Sequence, residues 1–198
     1  MMRCLVVAAV LLLVSCAPSF EVQRVDTAFN PSPNALYLTE GNRISTKSVA
    51  GGIHVDEKGI YLNPFVERAP TGQVAMLGLS IINRADYDTV TGGPNQLGVI
   101  RAVTFRLADG HLLSLPVGLQ ANQTSDTLRI DRLQRAAAYE KRETGIILLT
   151  PAEFALLASA DSLACQIVGT GQTVTYHAAD ISPAFLANLK TFYLSHVR

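Results

Sequence analysis

Between residues 53 and 117 the pattern of apolar and polar positions is dominated by strand signals, short apolar or alternating runs bounded by turn residues. Residues 53–55 and 59–62 flank Asp56-Glu57-Lys58-Gly59, a hairpin turn with glycine where a positive φ is wanted. Residues 73–83 contain the run Val74-Ala75-Met76-Leu77-Gly78-Leu79-Ser80-Ile81-Ile82, which predicts a strand central to the core. A loop is expected next, carrying Asp86, Asp88, Gly92, Gly93, Pro94 and Asn95. Over 98–107, Val99, Arg101, Val103, Phe105 and Leu107 fall on one side, and Ile100, Ala102, Thr104 and Arg106 on the other. Ala108-Asp109-Gly110 then turns the chain into a strand over 112–117. Strands joined by such short turns predict an antiparallel sheet or sandwich.

The period changes in the second half. Within 125–143, Leu128 to Tyr139 is rich in helix formers, and Ile130, Leu133 and Ala137 share a helical face. The segment reads as a helix, with strand pairing of 138–142 to the next segment as the alternative. Residues 146–149 predict a short buried strand. Thr150-Pro151-Ala152-Glu153 is a capping box with proline at the first helical position. The helix it opens runs to about Ser159 and buries Phe154, Leu157 and Ala158. Residues 163–168 and 173–177 form a hairpin around Gly169-Thr170-Gly171-Gln172. By the same capping logic Ser182-Pro183 starts a second helix, with Phe185, Leu186, Leu189, Phe192 and Tyr193 on its apolar face. The fold class expected is α+β and β-rich. An antiparallel sheet or sandwich is joined to a C-terminal β-α-β-β-α unit whose helices pack on the sheet.

The N-terminus has a different pattern. Arg3 precedes an unbroken apolar stretch, Leu5 to Val14, that ends at Ser15-Cys16. A membrane-spanning helix needs roughly 20 apolar residues, whereas a secretory leader needs an apolar region of about 7–15 behind a positive charge. The stretch fits the leader. Leu13-Val14-Ser15-Cys16 resembles the lipobox of bacterial lipoproteins. That resemblance implies cleavage before Cys16, a diacylglyceryl group on its thiol and acylation of the new amino terminus. Two or more acyl chains suffice for stable anchoring without a transmembrane helix. By the same resemblance Ala17, where inner-membrane lipoproteins carry aspartate, implies the outer membrane. The organisation expected is a cleaved signal peptide at 1–15, a lipidated Cys16 with a flexible tether over 16–34, and one globular domain over 35–198. The tether is interrupted by Pro18, Pro31 and Pro33, and residues 20–29 have room for an early strand.

Composition narrows the function. The chain has 198 residues, 48% of them hydrophobic, and its 16 Lys+Arg balance 16 Asp+Glu. A neutral chain lacks the basic field that nucleic acid requires, so no nucleic-acid partner is expected. Of three cysteines only Cys165 remains after the leader and Cys16 are set aside. No disulfide framework is available, and Leu163-Ala164-Cys165-Gln166-Ile167-Val168 reads as a buried strand with an inert thiol.

The search for chemistry is equally restrictive. His54, His111, His177 and His196 form no pair at helical ligand spacing. His54 with Asp56, and Asp109 with His111, share strand faces but flank hairpin turns, where these residue types serve conformation. Gly78-Leu79-Ser80-Ile81-Ile82 lacks the second glycine of a nucleophile elbow. Gly169-Thr170-Gly171 lacks a phosphate-loop lysine, and Asp86, Asp88, Asn83 and Asn95 do not follow the calcium-loop order. Arg129, Arg132, Arg135, Lys141 and Arg142, interrupted by Asp131, Glu140 and Glu143, form the only basic concentration and read as a solvated face, the alternative being a patch facing anionic headgroups or an acidic partner. Asn122-Gln123-Thr124 matches a glycosylation sequon but reads as chance in a bacterial lipoprotein. No catalytic, metal or cofactor residue is therefore assigned, and the one site residue is Cys16. The function expected is a non-enzymatic envelope lipoprotein serving as an assembly, adaptor or binding module, with membrane lipid and an envelope protein as partners. The alternatives are a lipid-anchored hydrolase acting on an envelope polymer and a small-ligand carrier.

Overall fold

A computed structural model describes residues 19–25, 33–47, 57–88, 96–131 and 136–198. The strands are β1 (Glu21–Val25), β2 (Ala35–Glu40), β3 (Gly59–Arg68), β4 (Val74–Asp88), β5 (Ile100–Leu107), β6 (Leu112–Pro116), β7 (Gln120–Asp131), β8 (Ala136–Leu148), β9 (Leu163–Gly169) and β10 (Thr173–Tyr176). Helix α1 (Pro151–Ser159) follows β8, and α2 (Pro183–Phe192) follows a 3₁₀ turn at Ala178–Asp180. The strands form a six-stranded sheet in the order β1-β2-β3-β4-β8-β7 and a four-stranded sheet in the order β10-β9-β5-β6. Every pairing is antiparallel. The fold is thus β-rich α+β, with two sheets and two C-terminal helices around one core. No helix among the described residues is long and apolar enough to cross a membrane.

The core follows from strand alternation. Leu77, Leu79 and Ile81 of β4 point inward with Ile60, Leu62 and Val66 of β3 and Ile147 of β8. They meet Val103 and Phe105 of β5, Leu113 and Leu115 of β6 and Ile167 of β9. Phe154 and Leu157 of α1 and Phe185, Leu189 and Phe192 of α2 join the same cluster, each fully buried. The rings of Phe154 and Phe192 lie 6.1 Å apart, tilted at 57°, the offset that aromatic quadrupoles prefer. His196, in the π-helical turn Tyr193–Val197, lies between Phe192 and Tyr37 with centroids 5.1 and 4.8 Å away. Burial there pushes its imidazole below the ordinary value, helped by Arg68.

The structure corrects four expectations. The described parts of segment 125–143, residues 125–131 and 136–143, are strand and not helix: β7 and β8 occupy them. β8 pairs along its length with β4, from Gly78 opposite Leu148 to Asp88 opposite Ala138, and this pairing overrides local helix propensity. The same pairing holds Asp86 and Asp88 in β4 rather than in a loop. The alternation expected over 98–107 also fails at its start. A register shift between Ile100 and Ala102 places Ile100 inside with Val103 and Phe105, while Arg101 faces out. Finally, α1 has its full capping box, with Glu153 N donating to Thr150 Oγ1 at 3.2 Å and Thr150 N to Glu153 Oε2 at 2.7 Å. The Ser182 hydroxyl caps nothing; its backbone N–H donates to Ile44 O at 2.9 Å and stitches α2 to the segment after β2.

β1 pairs with β2 from Glu21 opposite Glu40 to Val25 opposite Leu36, so the early strand has formed inside the proline-rich segment. The expected strand at 53–55 and the loop residues Gly92, Gly93, Pro94 and Asn95 lie outside the described residues.

The packing of α2 makes a direct prediction. Phe185→Ala removes a fully buried ring and is expected to lower stability by about 3–5 kcal/mol, with Phe192→Ala similar. Chemical denaturation of the purified chain measures this, and unchanged midpoints would remove α2 from the core.

Candidate functional site

β4 divides the molecule by parity. Its inward row continues past the apolar core into Asn83 and Ala85, both buried. Its outward row is Met76, Gly78, Ser80, Ile82, Arg84 and Asp86, and the registers with β3 and β8 extend each position into a cross-sheet row. Phe65, Gly78 and Leu148 form one row, Asn63, Ser80 and Ile146 the next, then Tyr61, Ile82 and Thr144, then Gly59, Arg84 and Arg142. Glycine is required at 78 because a Cβ there would meet the Ile147 carbonyl oxygen at 2.2 Å and the Phe65 ring at 2.6 Å. The face grades from apolar, with Leu148 60% exposed, to charged.

A cavity of about 310 Å³ opens at the charged end, lined by Tyr61, Asn63, Ile82, Arg84 and Arg142 from the sheet and by Ser19, Glu21, Glu40, Gly41 and Glu57 from its rim. A neighbouring cavity of about 440 Å³ shares Ile82 and Arg142 and extends to Gln120 at the start of β7. Asn63 shapes the first cavity by accepting from Asn42 N at 2.9 Å. Gly41 takes a φ of +80°, and a Cβ there would meet the Ser19 carbonyl oxygen at 2.2 Å, so only glycine lets the N-terminal segment lie against this corner.

The electrostatics of this cavity are unusual. Arg84 and Arg142 are register partners on adjacent strands. Glu21 and Glu40 are register partners as well. Like charges directly opposite on a sheet repel and cost roughly 0.2–1 kcal/mol. Arg84 is partly compensated, with Nη1 3.1 Å from Glu57 Oε2 and Nε 3.8 Å from Glu140 Oε1. Arg142 has no ion pair among the described residues, and its buried Nε, like that of Arg84, has no hydrogen-bond acceptor. On the opposite rim Glu21 accepts from the Ser19 hydroxyl at 2.9 Å. The Tyr61 phenol donates to Glu57 O at 2.6 Å. Burial raises its pKa, against the nearby cations of Arg43 and Arg84.

On the inward face beside Arg142, Glu143 is 1% exposed. Its carboxyl group accepts from Asn83 Nδ2 at 2.9 Å, Leu97 N at 2.8 Å and Gly98 N at 2.9 Å. Gly98 has a φ of +75°, and the turn Thr170-Gly171 packs on this loop, with Gly171 N donating to Leu97 O at 2.8 Å. The arrangement is an anchor that holds the start of β5 against β8. Glu143→Ala takes the acceptor from the buried N–H of Leu97 and the half-buried N–H of Gly98, and an unsatisfied buried donor costs about 1–3 kcal/mol. The expected result is a markedly lower melting temperature and rapid amide exchange at Leu97 and Gly98. Wild-type protection would refute the anchor.

The residues singled out in the sequence do not converge. His54, Asp56, Arg132 and Arg135 lie outside the described residues, as does Cys16. The Asp109–His111 pair makes a turn, His111 N donating to Asp109 Oδ1 at 2.9 Å, with both residues exposed. His177 N donates to Asp180 Oδ2 at 3.0 Å. Lys47 holds the Asp180 carboxyl below its usual range by its own hydrogen bond, aided by this backbone donor. Asp86 pairs with Lys58. Gly169-Thr170-Gly171 is the expected hairpin turn, whose Thr170 Oγ1 accepts from Val99 N at 3.0 Å. Among the described residues no group of three or more His, Cys, Asp or Glu could hold a metal ion. Of the basic concentration, Arg142 and Lys141 belong to β8, and Arg142 lines the cavity instead of a solvated helix face. Arg84, Glu21 and Glu40 were missed in the sequence. The available signal was the alternation Ile82, Arg84, Asp86, which a loop assignment at Asp86 hid.

Cys165 is 1% exposed in β9, and burial drives its thiol far above the usual range. A thiol reagent is therefore expected to label Cys165 slowly in the native chain and quickly in the unfolded chain; fast native labelling of Cys165 itself would contradict a structural role.

No family model, curated protein or solved structure matches the chain.

Proposed function

We propose that the protein is a lipid-anchored, non-enzymatic envelope lipoprotein of the outer membrane, acting as a binding module at the membrane surface through the outward face of its six-stranded sheet. The observation that carries this reading is the pair of like-charged cross-strand partners, Arg84 with Arg142 and Glu21 with Glu40, lining one cavity. Such pairs weaken the free protein and are relieved by a bound partner. The core supports binding on this face rather than carriage inside the fold, since its cluster of aliphatic and aromatic side chains is closed to solvent. The anchor rests on Leu13-Val14-Ser15-Cys16 and the membrane on Ala17.

Two variants of the full chain test the reading in cells lacking the gene. Cys16→Ser should leave the membrane fraction or accumulate as uncleaved precursor; unchanged processing and membrane association would overturn the anchor. Arg142→Gln removes the like-charge contact, so its melting temperature should equal or slightly exceed that of the unmodified chain. It should stay anchored yet lose the membrane-surface crosslinks that the unmodified chain forms in the same cells. An unchanged crosslinking pattern would overturn this face as the working surface.

A further inference from the structure

We infer that the Arg84–Arg142 cavity binds a zwitterionic ligand of headgroup size, a phosphate between the two guanidinium groups and a primary amine against Glu21 and Glu40, presented by membrane phospholipid. The assignment of a ligand rests on the binding-module reading above; its membrane source rests additionally on the anchor at Cys16.

The chemistry comes from the two walls. Arg84 and Arg142 are register partners on β4 and β8 and both line the cavity, Arg84 with its Nη1 3.1 Å from Glu57 Oε2. A phosphate is the ligand that a pair of planar donor forks holds best, through charge-assisted bonds to several oxygens at once. The phosphate alone does not satisfy the cavity, because two further carboxylates stand on its rim in register with each other. Neither has a cationic partner among the described residues. A primary ammonium group lowers the repulsion between them and donates up to three hydrogen bonds. One molecule carrying both charges therefore neutralises both pairs. The cavity, at about 310 Å³, admits a ligand of headgroup dimensions.

Chain length points to the source. Ser19 is itself part of the cavity rim, and its carbonyl packs against Gly41. It stands three residues after Cys16 in sequence. Three fully extended residues span at most about 11 Å. A lipid on Cys16 therefore keeps the cavity mouth close to the headgroup layer, which occupies roughly 5–8 Å on each side of the hydrocarbon core.

Calorimetry on the purified chain in a non-ionic detergent, whether or not Cys16 carries lipid, tests the ligand, with glycerophosphoethanolamine as the probe. Glycerophosphocholine, inorganic phosphate and ethanolamine are the comparisons. The expected result is saturable binding of glycerophosphoethanolamine at least about tenfold tighter than any of the three, as loss of a charge-assisted hydrogen bond implies. Glycerophosphocholine keeps the charge but offers the carboxylates no N–H donor. Arg142→Gln should abolish binding, and Glu40→Gln should reduce it to the level of glycerophosphocholine, both with the melting temperature retained. Should Arg142→Gln fail to fold, Arg142→Lys keeps the charge without the fork and should weaken binding about tenfold. No binding, equal affinity for the four probes, or unaltered binding in the Arg142 variants overturns the site.

The source is read separately with the mature chain carrying Cys16→Ser and phosphatidylcholine vesicles with or without phosphatidylethanolamine. Recruitment only by the phosphatidylethanolamine vesicles supports the membrane source. Binding of the free probe without vesicle recruitment overturns it and assigns the site to a soluble ligand of the same chemistry. Fractionation of Cys16→Ser in cells reports on the anchor, whereas calorimetry in detergent does not depend on it, so the two failures are distinguishable.

Discussion

The register of β4 is the constraint on which the rest of the structure depends. The strand is 15 residues long and lies between β3 and β8 in the six-stranded sheet. Because side chains alternate with a period of two, a slip of one residue would carry Leu77, Leu79 and Ile81 to the outer face and Arg84 into the core. The apolar row thus determines which face is buried, and in doing so determines which residues meet on the other. β4 also outlasts the apolar core. Its inward row ends in Asn83 and Ala85, and the carboxyl group of Glu143 on β8 serves both the Asn83 side chain and the loop entering β5. One strand therefore organises the packing between sheets, the buried polar anchor and the outward charged cavity.

The overall charge of zero conceals a strongly uneven surface. Opposite charges pair in the ordinary way where strands leave the core, as Lys58 does with Asp86. At the cavity the arrangement is opposite: arginine faces arginine and glutamate faces glutamate. The penalty for such pairs is small against a domain stability of about 5–15 kcal/mol, so the large sheet can sustain it. Sites that depart from the most stable arrangement are where binding energy is available. Here the departure sits beside Ser19, within a few residues of the cysteine that resembles a lipid attachment site.

By itself the sequence determined the elements whose signals are local. The capping box at Thr150 and Glu153, the helical spacing of Phe185, Leu189 and Phe192, the hairpin around Gly169-Thr170-Gly171-Gln172 and the apolar run of β4 depend on neighbours within a turn or a strand, and they appear in the structure. So does the class, a β-rich α+β chain. The tertiary structure decided what depends on distant partners. Residues 138–143 have helical composition but are strand because β4 offers a row of unpaired backbone groups opposite them. Glu143 looks like any charged residue on an exposed face until the fold buries it under Leu97 and Gly98. The cavity was invisible for the same reason: its walls come from Ser19 and Glu21, Glu40 and Gly41, Glu57, Tyr61 and Asn63, Ile82 and Arg84, and Arg142, which only sheet pairing brings together. Local periodicity carries information about which face a side chain takes, but not about which strand lies beside it, and charge pairs across a sheet are set by the second alone.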